Sequence, residues 1–290
     1  MWYKDRTELD LISKAGVHYY TGENGNPIVR MNASFWLECE KDDTAFTNPA
    51  INTGNWEAWV ATAIMRELHE TPMNKGVEFL DVGANNGYYS IMAASAGFYV
   101  HSFEPDPNSF EILNRNVVHN KLNAWHYGAH IIDKKVKTYN VAVSDLESHA
   151  FLHQHPTHSG ANSLEGEGEE GVEVQTYPLG YFFPGDGHHH VIKVDVEGHE
   201  RNVWNGYTAR NTTTRFALEN GETEIRRCGG DVWFVEWVPV RWGKEYNREW
   251  LNEVLETHDL QMVNYDGSLR PVGVEEALDV EFETIVFRKR

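Results

Sequence analysis

The clearest periodic signal in the chain begins at Asn55. Trp56, Trp59, Val60, Ala63, Ile64 and Leu68 recur at spacings of three and four, which places them on one face of a helix. Thr71-Pro72 ends that helix, and Gly76 precedes an apolar run, Val77–Val82, with the character of a core strand. Strand-length and helix-length segments then alternate. Tyr88–Ala96 reads as a helix after a glycine turn, Phe98–Phe103 as a short strand, and Asn108 can cap a helix carrying Phe110, Leu113 and Val117 on one face. Lys137–Val143 is the next strand. After an interruption the rhythm resumes with strand Val191–Val194 and a helix from about His199 to Asn205, stopped by Gly206. Asp231–Val238 is a further strand; Arg215–Asn220 competes for its place, with a helical reading equally open. Trp250, Val254 and Leu255 mark a helix, Leu260–Tyr265 a strand, and Phe282–Arg288 a last strand that forms a hairpin with its predecessor. Strands separated by helix-length segments indicate βαβ units and a parallel sheet, hence an α/β fold.

Two regions depart from this rhythm. Residues 1–54 mix aromatic and polar positions without a clear period and read as an N-terminal extension or cap on a main domain spanning 55–290. Residues 145–190 are rich in Gly, His and Glu; Ala150–His153 and Val172–Thr176 alternate and can pair as a hairpin, with Glu165–Glu170 as its solvated tip. No internal repeat is visible.

Composition narrows the class. A chain of 290 residues with 41% hydrophobic content can bury a large core. No run approaches the roughly 18 apolar residues of a membrane span, and the polar start lacks the apolar core of a signal peptide. Cys39 and Cys228 read as reduced thiols of a cytoplasmic protein, with one long-range disulfide as the alternative. The net charge of −19 comes from 44 acidic against 25 basic residues. It repels phosphate backbones and anionic lipids, so neither nucleic acid nor membrane is the expected partner. The terminal Arg288-Lys289-Arg290 is too short to form a basic patch.

Candidate chemistry gathers where the apolar runs end, the place at which open parallel sheets bind ligands. Phe79-Leu80-Asp81-Val82 runs into Gly83-Ala84-Asn85-Asn86-Gly87. The G-x-x-x-G spacing differs from the G-x-G-x-x-G of dinucleotide-binding enzymes. Asp81 before the turn disfavours a pyrophosphate and favours a ligand with a positive or amine-bearing group. Glu104-Pro105 ends the second strand about 20 residues on, where a carboxylate can accept both hydroxyl protons of a ribose. Ala142, Val143 and Ser144 end the third strand and could flank a purine. The fourth strand ends in Asp195-Val196-Glu197-Gly198-His199-Glu200, in which acids could serve catalysis or merely start a helix.

Together, Glu78–Ser90, Phe103–Asp106 and Ile192–Glu200 resemble the FkbM family of class I S-adenosylmethionine-dependent methyltransferases, over about residues 52–288. His158–Leu164 looks like the family's loop before the fourth strand. The resemblance implies a Rossmann-like fold with about seven mostly parallel strands, the last antiparallel. It implies S-adenosylmethionine as cofactor, with Asp81, Gly83, Ala84, Asn85 and Gly87 along the methionine and ribose portion. Glu104 and Pro105 would meet the ribose, and Ala142, Val143 and Ser144 would lie near adenine. Asp195 would face the amino group or the transferable methyl. Transfer to a hydroxyl needs alignment and a base; Glu197 and His199 are the candidates, while Glu200 fits a helix start. The acceptor expected is a sugar or other small molecule.

Other readings are open to test. His153-Gln154-His155-Pro156-Thr157-His158 has H-x-H-x-x-H spacing but lacks the acid expected before its third histidine, so no zinc site is expected. His188-His189-His190 reads as a polar turn. A magnesium site would need an acid after the fourth strand and an Asp-Asn pair after the fifth, of which Glu219-Asn220 is a poor echo, so no metal is expected at all. The rivals are a nicotinamide-dependent dehydrogenase and a catalytically silent adenosyl-binding scaffold. Trp233, Trp237 and Trp242 read as core aromatics or as a sugar-stacking platform.

Overall fold

A computed structural model of the protein describes residues 12–14, 17–32, 34–71, 76–122, 125–127, 130–132, 135–166, 170–183, 188–211, 214–217, 223–226 and 231–290. For 12–14, 125–127, 130–132, 209–211, 214–217 and 223–226 the description is of the backbone alone. Residues 1–11, Pro72, Cys228, residues 167–169 of the Glu165–Glu170 tip and residues 218–220 of the Arg215–Asn220 stretch, including Glu219-Asn220, lie outside it.

The chain opens with an antiparallel sheet of β1 (Ile12–Lys14), β2 (Val17–Thr21), β3 (Pro27–Met31) and β4 (Phe35–Glu38), followed by α1 (Thr44–Thr53). This region showed no period because its strands are three to five residues long and β2 to β4 only partly alternate between buried and exposed positions. Next come α2 (Ala58–Glu70), β5 (Val77–Val82), α3 (Tyr88–Ser95), β6 (Tyr99–Phe103) and α4 (Pro107–His119). The α4 cap is Asp106 rather than Asn108: its carboxylate accepts from the N–H groups of Asn108 and Ser109, and Pro107 occupies the first turn.

After the short strands β7 (Trp125–Tyr127) and β8 (His130–Ile132), the expected strand Lys137–Val143 divides in two. β9 (Val136–Tyr139) edges the central sheet, whereas β10 (Ala142–Ser144) turns away to pair with β12 (Gly171–Pro178). β11 (Ser148–His153) pairs antiparallel with β12, placing Ala150 opposite Val174, as the hairpin expectation required. Then follow α5 (Leu179–Phe182), β13 (His189–Val194) and α6 (Glu200–Asn211). Two expectations fail here. His189 and His190 are buried residues of β13, not a polar turn. The helix does not stop at Gly206 but continues through it; the residue is glycine because a Cβ there would lie 2.0 Å from the Ser144 carbonyl oxygen. That glycine serves close packing.

β14 (Thr214–Ala217) and β15 (Thr223–Arg226) form a separate ribbon, so the fifth parallel strand is β16 (Val232–Trp237). The chain ends with α7 (Lys244–Val254), β17 (His258–Val263), β18 (Leu269–Pro271), α8 (Val274–Asp279) and β19 (Glu283–Lys289). The central sheet runs β18-β17-β19-β16-β13-β5-β6-β9. Contacts from β9 through β16 are parallel, and β19 lies antiparallel between β16 and β17. The fold is therefore α/β and Rossmann-like, with the seven expected strands plus the three-residue edge strand β18.

Strand alternation assigns each face. Phe79, Val191, Val232 and Phe234 pack under α2, α3 and the N-terminal sheet, whereas Leu80, Val82, Ile192, Val194, Trp233 and Val235 pack under α6 and α7. The same period puts Asp81, Lys193 and Glu236 on the first face. Among the described residues no helix is long and apolar enough to cross a membrane.

Candidate active site

A cavity of about 740 Å³ opens over the C-terminal ends of the parallel strands. Of the residues expected from sequence, Gly83, Ala84, Asn85, Glu104, Pro105, Ala142, Val143, Asp195, Glu197 and His199 line it together. Asp81, Gly87 and Ser144 do not. Asp81 is 0% exposed beneath the floor, where its Oδ2 accepts the Ser90 hydroxyl at 2.6 Å. Gly87 faces Leu113 behind the turn. Ser144 is buried against His199.

The glycine turn is shaped by its neighbours. Gly83 has φ +78°, and a Cβ on it would lie 1.8 Å from the Asp195 carbonyl oxygen. The ends of β5 and β13 thus approach closely enough to exclude any side chain. The N–H groups of Gly83 and Ala84 both reach the Phe103 carbonyl at 3.0 Å, tying the turn to the end of β6. Glu104 completes the tie: its Oε2 accepts from Asn85 N at 2.7 Å and its Oε1 from Asp106 N at 2.8 Å. Burial pushes its pKa up to about 8 despite these bonds.

Lys193 is the cation beneath the cavity. It stands opposite Asp81 in the β13–β5 register, on the same face. Its Nζ lies 2.9 Å from Asp195 Oδ2, 4.0 Å from Asp81 Oδ1 and 5.0 Å from the Tyr89 ring centroid. Burial alone would lower its pKa, but the Asp195 and Asp81 charges outweigh that and raise it, so the ammonium stays charged. Burial raises the pKa of Asp81 against the pull of Lys193. Tyr89, at the start of α3, donates its hydroxyl to Glu57 Oε2 at 2.6 Å.

On the other side, Arg241 joins two acids. It hydrogen-bonds Glu197 and lies 3.6 Å from Glu236 Oε2. Burial, then the Asp195 charge, raises the pKa of Glu197, with Arg241 opposing. Asp195, Glu197 and Glu236 can bring one carboxylate oxygen each within 4.8 Å of one another. Glu236, near the end of the fifth parallel strand, was not expected at the site; the alternation along β16 places it on the cavity face. His199, expected as a base, has both ring nitrogens engaged: Nε2 by Ser144 Oγ at 2.9 Å and Nδ1 by Glu165 Oε1 at 2.7 Å. Glu200 accepts from Gly198 N at 2.9 Å, a helix-start role.

Aromatic groups form the outer wall. Phe46, Trp56 and Trp59 come from the N-terminal side, Tyr265 and Phe282 from loops beside β17 and β19. Tyr265 is 82% exposed, so the mouth is open. Trp233 and Trp237 are core residues and Trp242 lies outside the lining, so none of the three forms a platform in the cavity. Sequence reasoning missed Glu57, Lys193, Glu236 and Arg241; Glu57 and Arg241 bond partners 32 and 44 positions away in the chain.

A family model described as the methyltransferase FkbM domain matches residues 81–256. No curated protein matches the chain. Among solved structures, a precorrin-6y C5,15-methyltransferase from Geobacter metallireducens is 9% identical, with 88% of this chain and 94% of that one covered at a TM-score of 0.41. A TehB-like SAM-dependent methyltransferase from Corynebacterium glutamicum is 14% identical, with 85% and 95% covered at 0.42. TYW2 of P. horikoshii, in complex with MeSAdo, is 11% identical, with 96% and 72% covered at 0.35.

Proposed function

The chain belongs to the FkbM methyltransferases, and on that premise we propose that it uses S-adenosylmethionine to methylate a hydroxyl oxygen of a sugar or other small acceptor. The observation that carries the cofactor reading is Glu104, a buried carboxylate at the end of β6 bonded to the glycine turn at the end of β5. The donor set suits the group. Glycines allow close approach, Glu104 can accept two ribose hydroxyls, and Ala142 and Val143 offer a flat apolar wall. A cationic ligand is matched by a wall carrying Glu57, Glu104, Asp195, Glu197 and Glu236 against Lys193 and Arg241.

When bound, S-adenosylmethionine supplies a methyl group on a positively charged sulfur, open to in-line attack. The protein's contribution is placement and proton removal. Asp195, fixed by Lys193, faces the reacting end. Glu197 takes the acceptor proton: it lines the cavity, and its raised pKa makes it the better base. Arg241 holds that carboxylate in place. The aromatic mouth, Trp56, Trp59, Tyr265 and Phe282, suits a sugar ring or another compact acceptor, and the charge of −19 disfavours nucleic acid.

The test is methyl transfer from labelled S-adenosylmethionine to a panel of hydroxylated metabolites, with total RNA as a separate arm. Label should enter a small hydroxylated acceptor and be lost with Asp195→Ala. Label in RNA would overturn the acceptor class. Thermal stabilisation by NAD but not by S-adenosylhomocysteine would overturn the cofactor reading.

A further inference from the structure

Glu57 occupies the cap position of α2 but does not cap it. Its backbone is left-handed, with φ 38° and ψ 55°, a strained conformation for a residue with a Cβ, and its side chain makes no bond to the helix. The carboxylate instead turns to the cavity wall, aimed by the Tyr89 hydroxyl at 2.6 Å.

The charges on that wall can be paired off one by one. Asp195 is matched by Lys193 at 2.9 Å. Glu197 and Glu236 share Arg241. Glu104 already accepts one backbone N–H on each oxygen and, on this reading, takes the ribose hydroxyls on its remaining lone pairs. Glu57 is left without a direct ion pair: among the described residues no Lys, Arg or His lies within 4.0 Å of it, and Lys193, already bonded to Asp195, attracts it only from farther away. Its place along the sheet is also defined. In the order β9-β6-β5-β13, Ala142 and Val143 follow β9, Glu104 ends β6, and the glycine turn ends β5. Glu57 is bound to Tyr89, just after that turn, and Lys193 of β13 lies 5.0 Å from the same ring. It therefore stands beyond Glu104 from the purine side.

We infer that Glu57 is the counter-ion for the α-ammonium of the cofactor's amino-acid end, an assignment that rests on the cofactor reading above. A ligand with adenine beside Val143 and ribose at Glu104 delivers its amino-acid end to Glu57. The carboxylate, which has no cation in direct contact, then gains one, in a partly desolvated setting where such a pair discriminates strongly. Burial raises the pKa of Glu57 against the Tyr89 hydrogen bond, as expected for an acid awaiting a cation. The segment before α2 thereby takes part in cofactor choice.

The experiment is calorimetric titration of the full-length protein with S-adenosylhomocysteine, its analogue lacking only the amino group, and 5′-methylthioadenosine. The wild-type protein should bind S-adenosylhomocysteine at least tenfold tighter than the deamino analogue. Glu57→Gln should bind those two within about threefold of each other, with affinity for 5′-methylthioadenosine unchanged. Tyr89→Phe, which removes the bond that aims the carboxylate, should lose part of the preference. Wild-type preference retained in Glu57→Gln would overturn the assignment. So would equal weakening of all three ligands, which would mark a structural role. Failure of the wild-type protein to bind any of the three would instead overturn the cofactor reading itself.

Discussion

Replacing Glu104 by Gln keeps the shape of the side chain and removes its charge, so it isolates what the carboxylate does. In the folded protein burial holds the pKa near 8, against an ordinary value of 4.5. Folding therefore takes up a proton between those values. The stabilising contribution is full below pH 4.5 and is lost as pH rises through about 8, at roughly 1.4 kcal/mol per pH unit. The amide of Glu104→Gln does not titrate but offers only one acceptor to the two N–H groups of Asn85 and Asp106, which costs about 1–3 kcal/mol. The variant should thus be less stable than wild type at pH 5, and the gap should close as pH approaches 8. Ligand binding has the opposite slope. If the ribose hydroxyls need the ionised carboxylate, roughly one molecule in a hundred is competent at pH 6 and about half at pH 8. Wild-type affinity for S-adenosylhomocysteine should then rise roughly fiftyfold between those pH values, with burial of the carboxyl setting the midpoint. Glu104→Gln should show no such rise and bind about ten- to hundredfold more weakly at pH 8. Calorimetry at pH 6, 7 and 8 with both proteins measures this. A pH-independent wild-type affinity, or a variant within threefold of wild type at pH 8, would refute the reasoning.

Three further outcomes follow from the packing. Gly83→Ala sets a Cβ 1.8 Å from the Asp195 carbonyl at a positive φ; the urea midpoint should fall by the equivalent of at least about 2 kcal/mol, and an unchanged midpoint would contradict the close approach of the two strand ends. Lys193→Met strands Asp81, 0% exposed, without its cation; about 3–5 kcal/mol of stability should be lost and much of it regained in Lys193→Met with Asp81→Asn, whereas two additive losses would mean the pair is uncoupled. Burial pushes the pKa of Glu38 up, but Arg115, Asn26 and Asn24 outweigh it and hold the pKa below 4.5. Its contribution is present above that value and lost as pH falls, so Glu38→Gln should lower the melting temperature at pH 7 with a difference that shrinks below pH 4; a constant difference would show that the pair does not tie the N-terminal sheet to α4.

The central sheet was legible because its strands are buried on both faces and so read as unbroken apolar runs; all six residues of β13 are buried. The histidines that begin β13 disguised its start, since the Nδ1 of His190 finds its hydrogen-bond partner in Tyr207, 17 residues away. The N-terminal sheet was invisible for the converse reason: short strands with partial exposure carry no period. Gly206 was misread because a glycine that ends a helix and one that admits a neighbouring backbone look alike in sequence. At the site, most residues within contiguous motifs were found, Lys193 excepted, whereas Glu57 and Arg241 were not, because their significance comes from Tyr89 and Glu197, 32 and 44 positions away.

The central claim is that the cavity over the strand ends receives S-adenosylmethionine in one orientation. A crystal structure of the full-length protein with S-adenosylhomocysteine tests it most directly. Adenine is predicted beside Ala142 and Val143, both ribose hydroxyls on Glu104, the amino group on Glu57 and the sulfur facing Asp195. A ligand with its adenine end at Glu57, or bound outside this cavity, would contradict the account.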